Sequence, residues 1–178
     1  MVGAAGSGKS TLAARLFAPD EILSSDTLRG VVSGDEANQG ASAVAFRILH
    51  RMLERRLAAG QLTVVDATNT RSEHRRPLIA RARAAGVPTV AIVLDLPPEL
   101  VHARNAGRSA RVVDREVVDR HLDAIRRTID TGRLAAESFD QVVILRTPED
   151  VGQLRVLRST TAAPALPRTD DPPERPGS

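Results

Sequence analysis

The sequence predicts an α/β fold in which a parallel β-sheet is flanked by helices. Short apolar runs that suit buried strands alternate along the chain with longer segments of helical periodicity. A glycine-rich stretch, GAAGSGKST, occupies positions 3 to 11, and two strand-like runs deliver an aspartate, at Asp26 and Asp66. Because parallel strands need right-handed crossovers, the loop and both acids should meet at the carboxyl edge of one sheet.

The GAAGSGKST stretch has the spacing of a P-loop, since four residues separate Gly3 from Gly8-Lys9-Ser10. Glycines allow backbone N–H groups to turn inward around phosphates. Lys9, the only lysine among 25 basic residues, can reach the β- and γ-phosphates, and the Ser10 hydroxyl can ligate Mg²⁺. The predicted nucleotide-binding residues are Gly3, Gly6, Ser7, Gly8, Lys9, Ser10 and Thr11.

The remaining elements are predicted from the periodicity of apolar residues and from the glycines and prolines at which helices and strands end. A helix follows the P-loop, and a loop rich in Gly, Asp and Asn covers 33–41. Val44, Ile48, Leu49, Met52, Leu53 and Leu57 predict a long helix that ends before Gly60, and Val118, Leu122, Ile125 and Ile129 predict the buried face of a later one. An arginine-rich helix is predicted after Asn69 and ends at about residue 85, and another runs from Pro97 to about residue 106. The predicted strands are 21–25, 62–65, 89–94 and 141–145. Only Met1 and Val2 precede Gly3, so the first strand is either clipped or begins upstream of this sequence.

Length and composition predict one globular domain over residues 1–158. From about Ser159 the sequence turns to Pro, Thr, Asp and Gly without periodicity, which predicts a disordered tail or linker stump over 159–178. The chain has no cysteine, which excludes disulfides and thiol nucleophiles. The four histidines lack the spacing of metal ligands, and we interpret them as surface side chains or as side chains with satisfied hydrogen bonds. No signal peptide or long apolar run is present, so we expect a cytoplasmic protein without a membrane partner.

The charge and aromatic content limit the class of partner. The net charge of +3 permits anionic substrates without requiring nucleic acid, and three phenylalanines with no Trp or Tyr weigh against a stacking-type single-strand binder. Arg47, Arg51 and Arg55 recur every fourth residue of a predicted helix. They form either a solvated face or a stripe that tracks a nucleic-acid backbone.

Three groups of residues supply candidates for phosphoryl-transfer chemistry. Asp66 ends an apolar strand, where a carboxylate can hold Mg²⁺ or simply make a turn or cap. Asp26 and Arg29 lie one helical turn apart, where the acid can accept a hydroxyl proton and the arginine can hold a phosphate; an N-cap and a surface charge are the alternative. Arg104, Arg108 and Arg111 fall in eight residues without an acid and predict an arginine-rich lid over the γ-phosphate, or else a solvated face.

Over residues 1 to 158 the chain resembles the kinase domain of bacterial polynucleotide kinase-phosphatase, a relative of the phage polynucleotide 5′-kinase. The resemblance rests on GAAGSGKST, SSDTLRGVVSGDEANQ, LTVVDATN, RNAGRSAR and VVIL. It implies a P-loop kinase fold of the adenylate-kinase type, with the P-loop strand central, and a role in RNA repair.

Residue by residue, the resemblance implies that Lys9 and Ser10 bind the phosphates of ATP and Mg²⁺. It makes Asp26 the general base, Arg29 the ligand of the acceptor phosphate, and Arg104 and Arg108 the lid arginines. The acceptor would be a 5′-OH end of RNA or DNA. Two alternatives are a P-loop kinase of a small molecule such as a nucleoside, sugar or antibiotic, and a regulatory P-loop ATPase without an acceptor.

Overall fold

The computed structural model describes residues 1–34, 42–108 and 112–158, in which five strands and seven α-helices alternate. The strands are β1 (Val2–Gly3), β2 (Ile22–Ser24), β3 (Val64–Asp66), β4 (Val90–Leu94) and β5 (Gln141–Leu145). The helices are α1 (Lys9–Leu16), α2 (Ser25–Ser33), α3 (Ser42–Ala58), α4 (Ser72–Ala84), α5 (Pro98–Ala106), α6 (Arg115–Asp130) and α7 (Pro148–Gln153). Short 3₁₀ turns cover Pro19–Glu21 and Ala135–Glu137.

The strands form two parallel ladders, β1-β4-β5 and β2-β3, which meet at the P-loop strand β1. Strand β2 pairs with β3, β1 pairs with β4, and β4 pairs with β5, all in parallel. The two ladders meet where the Met1 nitrogen donates to the Val65 carbonyl and the Gly3 N–H donates to the Thr68 carbonyl, each over 3.0 Å. These contacts place β1 beside β3, and the parallel strands flanked by helices confirm the predicted α/β fold.

Aliphatic side chains build the core, as the near absence of aromatics requires. One cluster joins α1, α5 and α6 to the sheet through residues such as Leu12, Val101 and Leu122, and another joins α3 to β2 through Leu49 and Leu23. The predicted apolar stripe of α6 is buried except for Ile129, which is partly exposed. These clusters fix the helices against the sheet and so position the loops at its carboxyl edge.

Helix α3 buries a narrower face than its sequence predicts. Ala45, Leu49, Leu53 and Leu57 are buried, whereas the predicted core residues Val44, Ile48 and Met52 remain 36%, 36% and 39% exposed. The buried residues are spaced strictly by four, so the helix contacts the sheet along a single line. The apolar residues beside that line face outward.

One strand boundary and one helix also differ from the sequence prediction. The third strand begins at Val64 rather than Leu62, because Arg56 donates hydrogen bonds to the Thr63 hydroxyl and to the Leu62 carbonyl. Helix α7 follows β5 and was not predicted; its Thr147 cap accepts a hydrogen bond from the Asp150 N–H, and the Asp150 carboxylate accepts one from the Thr147 N–H.

Some predicted features lie outside the described residues: most of the 33–41 loop, Arg111 of the lid, and the 159–178 tail. Among the helices that the structure describes, none combines the length and apolar character needed to cross a bilayer.

Candidate active site

The P-loop is held by two close backbone approaches. A β-carbon on Gly3 would lie 2.6 Å from the Ser7 hydroxyl, and one on Gly6 would lie 2.6 Å from the Val101 carbonyl of α5. Gly6 and Gly8 also have positive φ angles of 83° and 92°, which favour glycine. The loop therefore leaves no room for side chains and presents its backbone and the first turn of α1 to the cleft, as a phosphate cradle requires.

Lys9 lies at the start of α1 and is buried, with only 8% of its surface exposed. Its ammonium donates a hydrogen bond to the Ala4 carbonyl at 2.9 Å. Burial lowers the pKa of Lys9 to about 8, Asp66 and Asp26 oppose that shift, and Arg108 adds to it. The lysine is thus a desolvated cation with two carboxylates close enough to act on its charge.

Both predicted lid arginines within the described residues lie beside the P-loop. The Arg104 guanidinium lies 3.4 Å from the Ser7 carbonyl. It is also the group closest to the position that a β-carbon on Gly8 would occupy. Arg108 is close enough to lower the pKa of Lys9. Arg104 belongs to helix α5 rather than to a loop, so its backbone is as fixed as the P-loop against which that helix packs.

Asn105, between these arginines, ties the ends of the lid segment together. Its side chain donates to the Val113 carbonyl at 2.7 Å and accepts from the Val113 N–H at 3.1 Å. Asn105 is also 96% buried, being only 4% exposed, and packs directly under Gly6. Arg104 therefore presents its charge to the cleft, while the adjacent Asn105 holds the backbone of Val113.

Asp26 and Arg29 form an ion pair on the first turn of α2. The N-cap of this helix is Ser24, whose hydroxyl accepts a hydrogen bond from the Thr27 N–H at 3.3 Å. The cap role thus falls to the serine, and the Asp26 carboxylate remains 45% exposed in the cleft while the Arg29 side chain is 8% exposed. A surface arginine is excluded for position 29.

Asp66 ends β3 and is aligned with Ser24 at the end of β2. Its side chain is buried and raises the pKa of Lys9, whereas Ser10 is exposed at the N-terminus of α1. No cluster of three acidic or histidine ligands occurs among the described residues, which is compatible with Mg²⁺ because this ion takes one or two protein ligands beside phosphate and water.

A single cavity of about 1240 Å³ gathers these residues. Its walls include the P-loop, Asp26, Arg29, Asp66, Arg104 and Arg108. Gly3 forms the base of the loop beneath it, where its β-carbon position is already filled by Ser7, Leu94 and Lys9. The Ser7 hydroxyl lies at this position beneath the loop and is buried without a hydrogen-bond partner in the described part of the chain, so the loop contacts the cleft through its backbone rather than through this side chain.

A family model described as "AAA domain" matches residues 1–131, from β1 to the end of α6. The chain belongs to the AAA domain family. The match indicates a P-loop NTPase of the nucleotide-kinase type, a class that generally uses ATP and Mg²⁺. Among curated proteins no sequence matches the chain.

Phe46, His74 and His121 also line the cleft of this AAA domain, although the sequence predicted no role in the site for any of them. The interpretation as a surface or hydrogen-bonded side chain is wrong for His121. The Phe46 and His74 rings stack with centroids 6.2 Å apart and planes at 24°. His121 has a lowered pKa because it is buried and lies near Lys9, and its Nδ1 has no hydrogen-bond partner within the described residues. The histidines come from α4 and α6, so no local spacing could have identified them.

The AAA domain cleft extends beyond the P-loop to the segment after β5. Pro148, Val151 and Gly152 line this end together with Arg15 of α1. The Arg15 guanidinium donates to the Val151 and Gly152 carbonyls, the latter at 2.9 Å. These hydrogen bonds therefore hold helix α7 against α1.

The loop that follows Asp66 is held by a buried ion pair. Arg75 donates to the Asn69 carbonyl at 2.7 Å and pairs with Glu137 through contacts of 2.5 and 2.6 Å. Asn69 adopts a left-handed conformation with φ of 48°, and its side chain donates to the Met1 carbonyl at 3.0 Å. The asparagine of the VDATN run thus connects the loop after β3 to the residue that precedes β1.

Proposed function

We propose that the protein is an ATP-dependent polynucleotide 5′-hydroxyl kinase, which transfers the γ-phosphate of ATP to the 5′-OH end of RNA or DNA in nucleic-acid repair. The observation that carries this proposal is the Asp26–Arg29 ion pair, which opens into the same cleft as the P-loop lysine. A carboxylate that does not cap its helix, paired with a nearly buried guanidinium, suits an acceptor that has both a hydroxyl and a phosphate.

On the donor side, the P-loop N–H groups and Lys9 would hold the phosphates of ATP, and Ser10 and Asp66 would hold Mg²⁺. When bound, the ion would supply positive charge that offsets the negative charge of the phosphates during transfer. The nucleoside part of the donor would lie at the end of the cleft that Pro148, Val151 and Gly152 line. The cavity of about 1240 Å³ exceeds the usual range of roughly 300–1,000 Å³ for one ligand, which supports simultaneous binding of a nucleotide and an acceptor.

On the acceptor side, the 5′-hydroxyl oxygen would attack the γ-phosphorus while the bond to the β–γ bridging oxygen breaks, leaving ADP. Asp26 would take the hydroxyl proton, and Arg29 would bind the neighbouring phosphate of the acceptor. Arg104 and Arg108 would offset the negative charge of the transferring group. The proximity of both arginines to the P-loop, through Ser7 and Lys9, supports this role.

Transfer of labelled γ-phosphate to a panel of acceptors tests the proposal. We expect kcat/KM to rank a 5′-OH oligonucleotide above a 3′-nucleotide, and a 3′-nucleotide above a nucleoside, because a nucleoside lacks the phosphate that Arg29 would bind. Equal use of the three, or preference for a sugar or an antibiotic, would identify a small-molecule kinase instead. Release of free phosphate without labelling of any acceptor would identify a regulatory ATPase.

A further inference from the structure

Helix α3 starts inside the cleft and leads out of it. Ser42, Ala43 and Phe46, at its N-terminus, line the cavity with Asp26 and Arg29. Residues four apart are neighbours on one face of a helix, about 6 Å apart along the axis. Arg47 therefore continues the face of Ala43, and Arg51 and Arg55 extend the same line away from the cleft.

These three arginines, here called the α3 stripe, carry charge that no acid on their helix offsets. All three side chains are exposed, and they form no ion pair with any residue in the described ranges. The single acid of α3, Glu54, is engaged by Arg81 of α4 at 2.8 Å. By contrast, Arg120 of α6 pairs with Glu116 of the same helix.

We propose that the α3 stripe binds the phosphates of the acceptor strand beyond its 5′ end, so that a single strand leaves the cleft along α3. This inference rests on the proposed function. From Arg47 to Arg55 the stripe spans about 12 Å, which suits two or three successive phosphates of an extended strand. The stacked Phe46 and His74 rings lie where the stripe enters the cleft, next to the first nucleotides of such a strand.

The test uses a triple variant, R47Q/R51Q/R55Q, and a control of equal charge change, R76Q/R127Q/R133Q. The control arginines are exposed, lie outside the cleft and form no ion pair within the described residues. The kcat/KM is measured for 5′-OH single strands from a 3′-nucleotide to a ten-nucleotide strand, at several salt concentrations. A third variant, R47K/R51K/R55K, retains the charge.

We expect wild-type kcat/KM to rise with strand length up to about four nucleotides. The R47Q/R51Q/R55Q variant should lose this rise, with KM for the longer strands increased by up to about 100-fold at low salt, since each contact contributes up to about fivefold. Its salt dependence should be shallower by about 2 in log–log slope, from roughly 0.7 per phosphate for single strands. Its KM for ATP and its rate with the 3′-nucleotide should stay at wild-type values, and the lysine variant should recover most of the length dependence.

Equal losses in the R47Q/R51Q/R55Q variant and the control would overturn the inference, because total charge would then be responsible. Unchanged length and salt dependence in the R47Q/R51Q/R55Q variant would also overturn it and make the stripe a solvated face. A wild-type protein that phosphorylates no oligonucleotide would instead refute the proposed function, before any variant is compared.

Discussion

The two sides of the cleft are built in different ways. On the donor side, which comprises the P-loop and α5, backbone packs against backbone: Gly6 leaves no space below Val101, and Lys9 is buried. On the acceptor side, which comprises α2 and the start of α3, the chemistry rests on charged side chains, and Asp26 is 45% exposed. Changes on the donor side should therefore disturb ATP binding, whereas changes on the acceptor side should mainly lower the rate of transfer.

The largest effect is expected from Lys9→Ala. This substitution removes the cation that the P-loop holds against the phosphates, so turnover should fall to background while the fold is retained. Steady-state rates and a thermal unfolding curve measure the two effects separately. Wild-type turnover in this variant would contradict the assignment of the P-loop as the donor site.

Asp26→Asn tests the acceptor side by itself. Loss of a general base should lower kcat by about 10² to 10⁴, with little change in the Kd for ATP. Single-turnover rates and titration of a fluorescent ATP analogue supply the two measurements. If ATP affinity collapses while bound nucleotide still turns over, Asp26 belongs to the metal site and another residue takes the proton.

Gly6→Ala tests whether backbone packing defines the donor side, and Gly86→Ala is its matched control. Both glycines have positive φ, 83° and 66°, so both variants incur the cost of a left-handed alanine, about 1 kcal/mol. Only at Gly6 would the methyl group meet Val101 and Asn105, within 3.0 Å, whereas nothing lies within 4 Å at Gly86. Overpacking should therefore lower the free energy of unfolding of Gly6→Ala by roughly 1–3 kcal/mol more, and weaken ATP binding. Equal denaturation midpoints would mean that the P-loop yields without strain.

The same contrast explains what could be predicted from the sequence. The donor side lies in one contiguous stretch with its own spacing rule, so the fold and the P-loop residues could be predicted from GAAGSGKST and the alternation of elements. Phe46, His74 and His121 contact segments far apart in sequence, and Asn105 packs under the distant Gly6. No local pattern encodes such contacts. Helix α7 was missed because its six residues are too few for an apolar period.

The smallest effect expected, and the one that connects the two sides, is a shift in the pH dependence of ATP use. Lys9 has a pKa of about 8, so in the free protein it loses its proton as the pH rises through 8, and kcat/KM for ATP should fall about tenfold per pH unit above that. Because Asp26 raises the pKa of Lys9, Asp26→Asn should move the fall to lower pH.

Unfolding does not account for such a loss of activity. The unfolded chain, with an ordinary lysine pKa of 10.5, binds more protons than the folded one between pH 8 and 10.5. The contribution of Lys9 to the free energy of unfolding therefore rises over that range while activity falls. An inflection at the same pH in both proteins would show that the charges on the two sides of the cleft are not coupled.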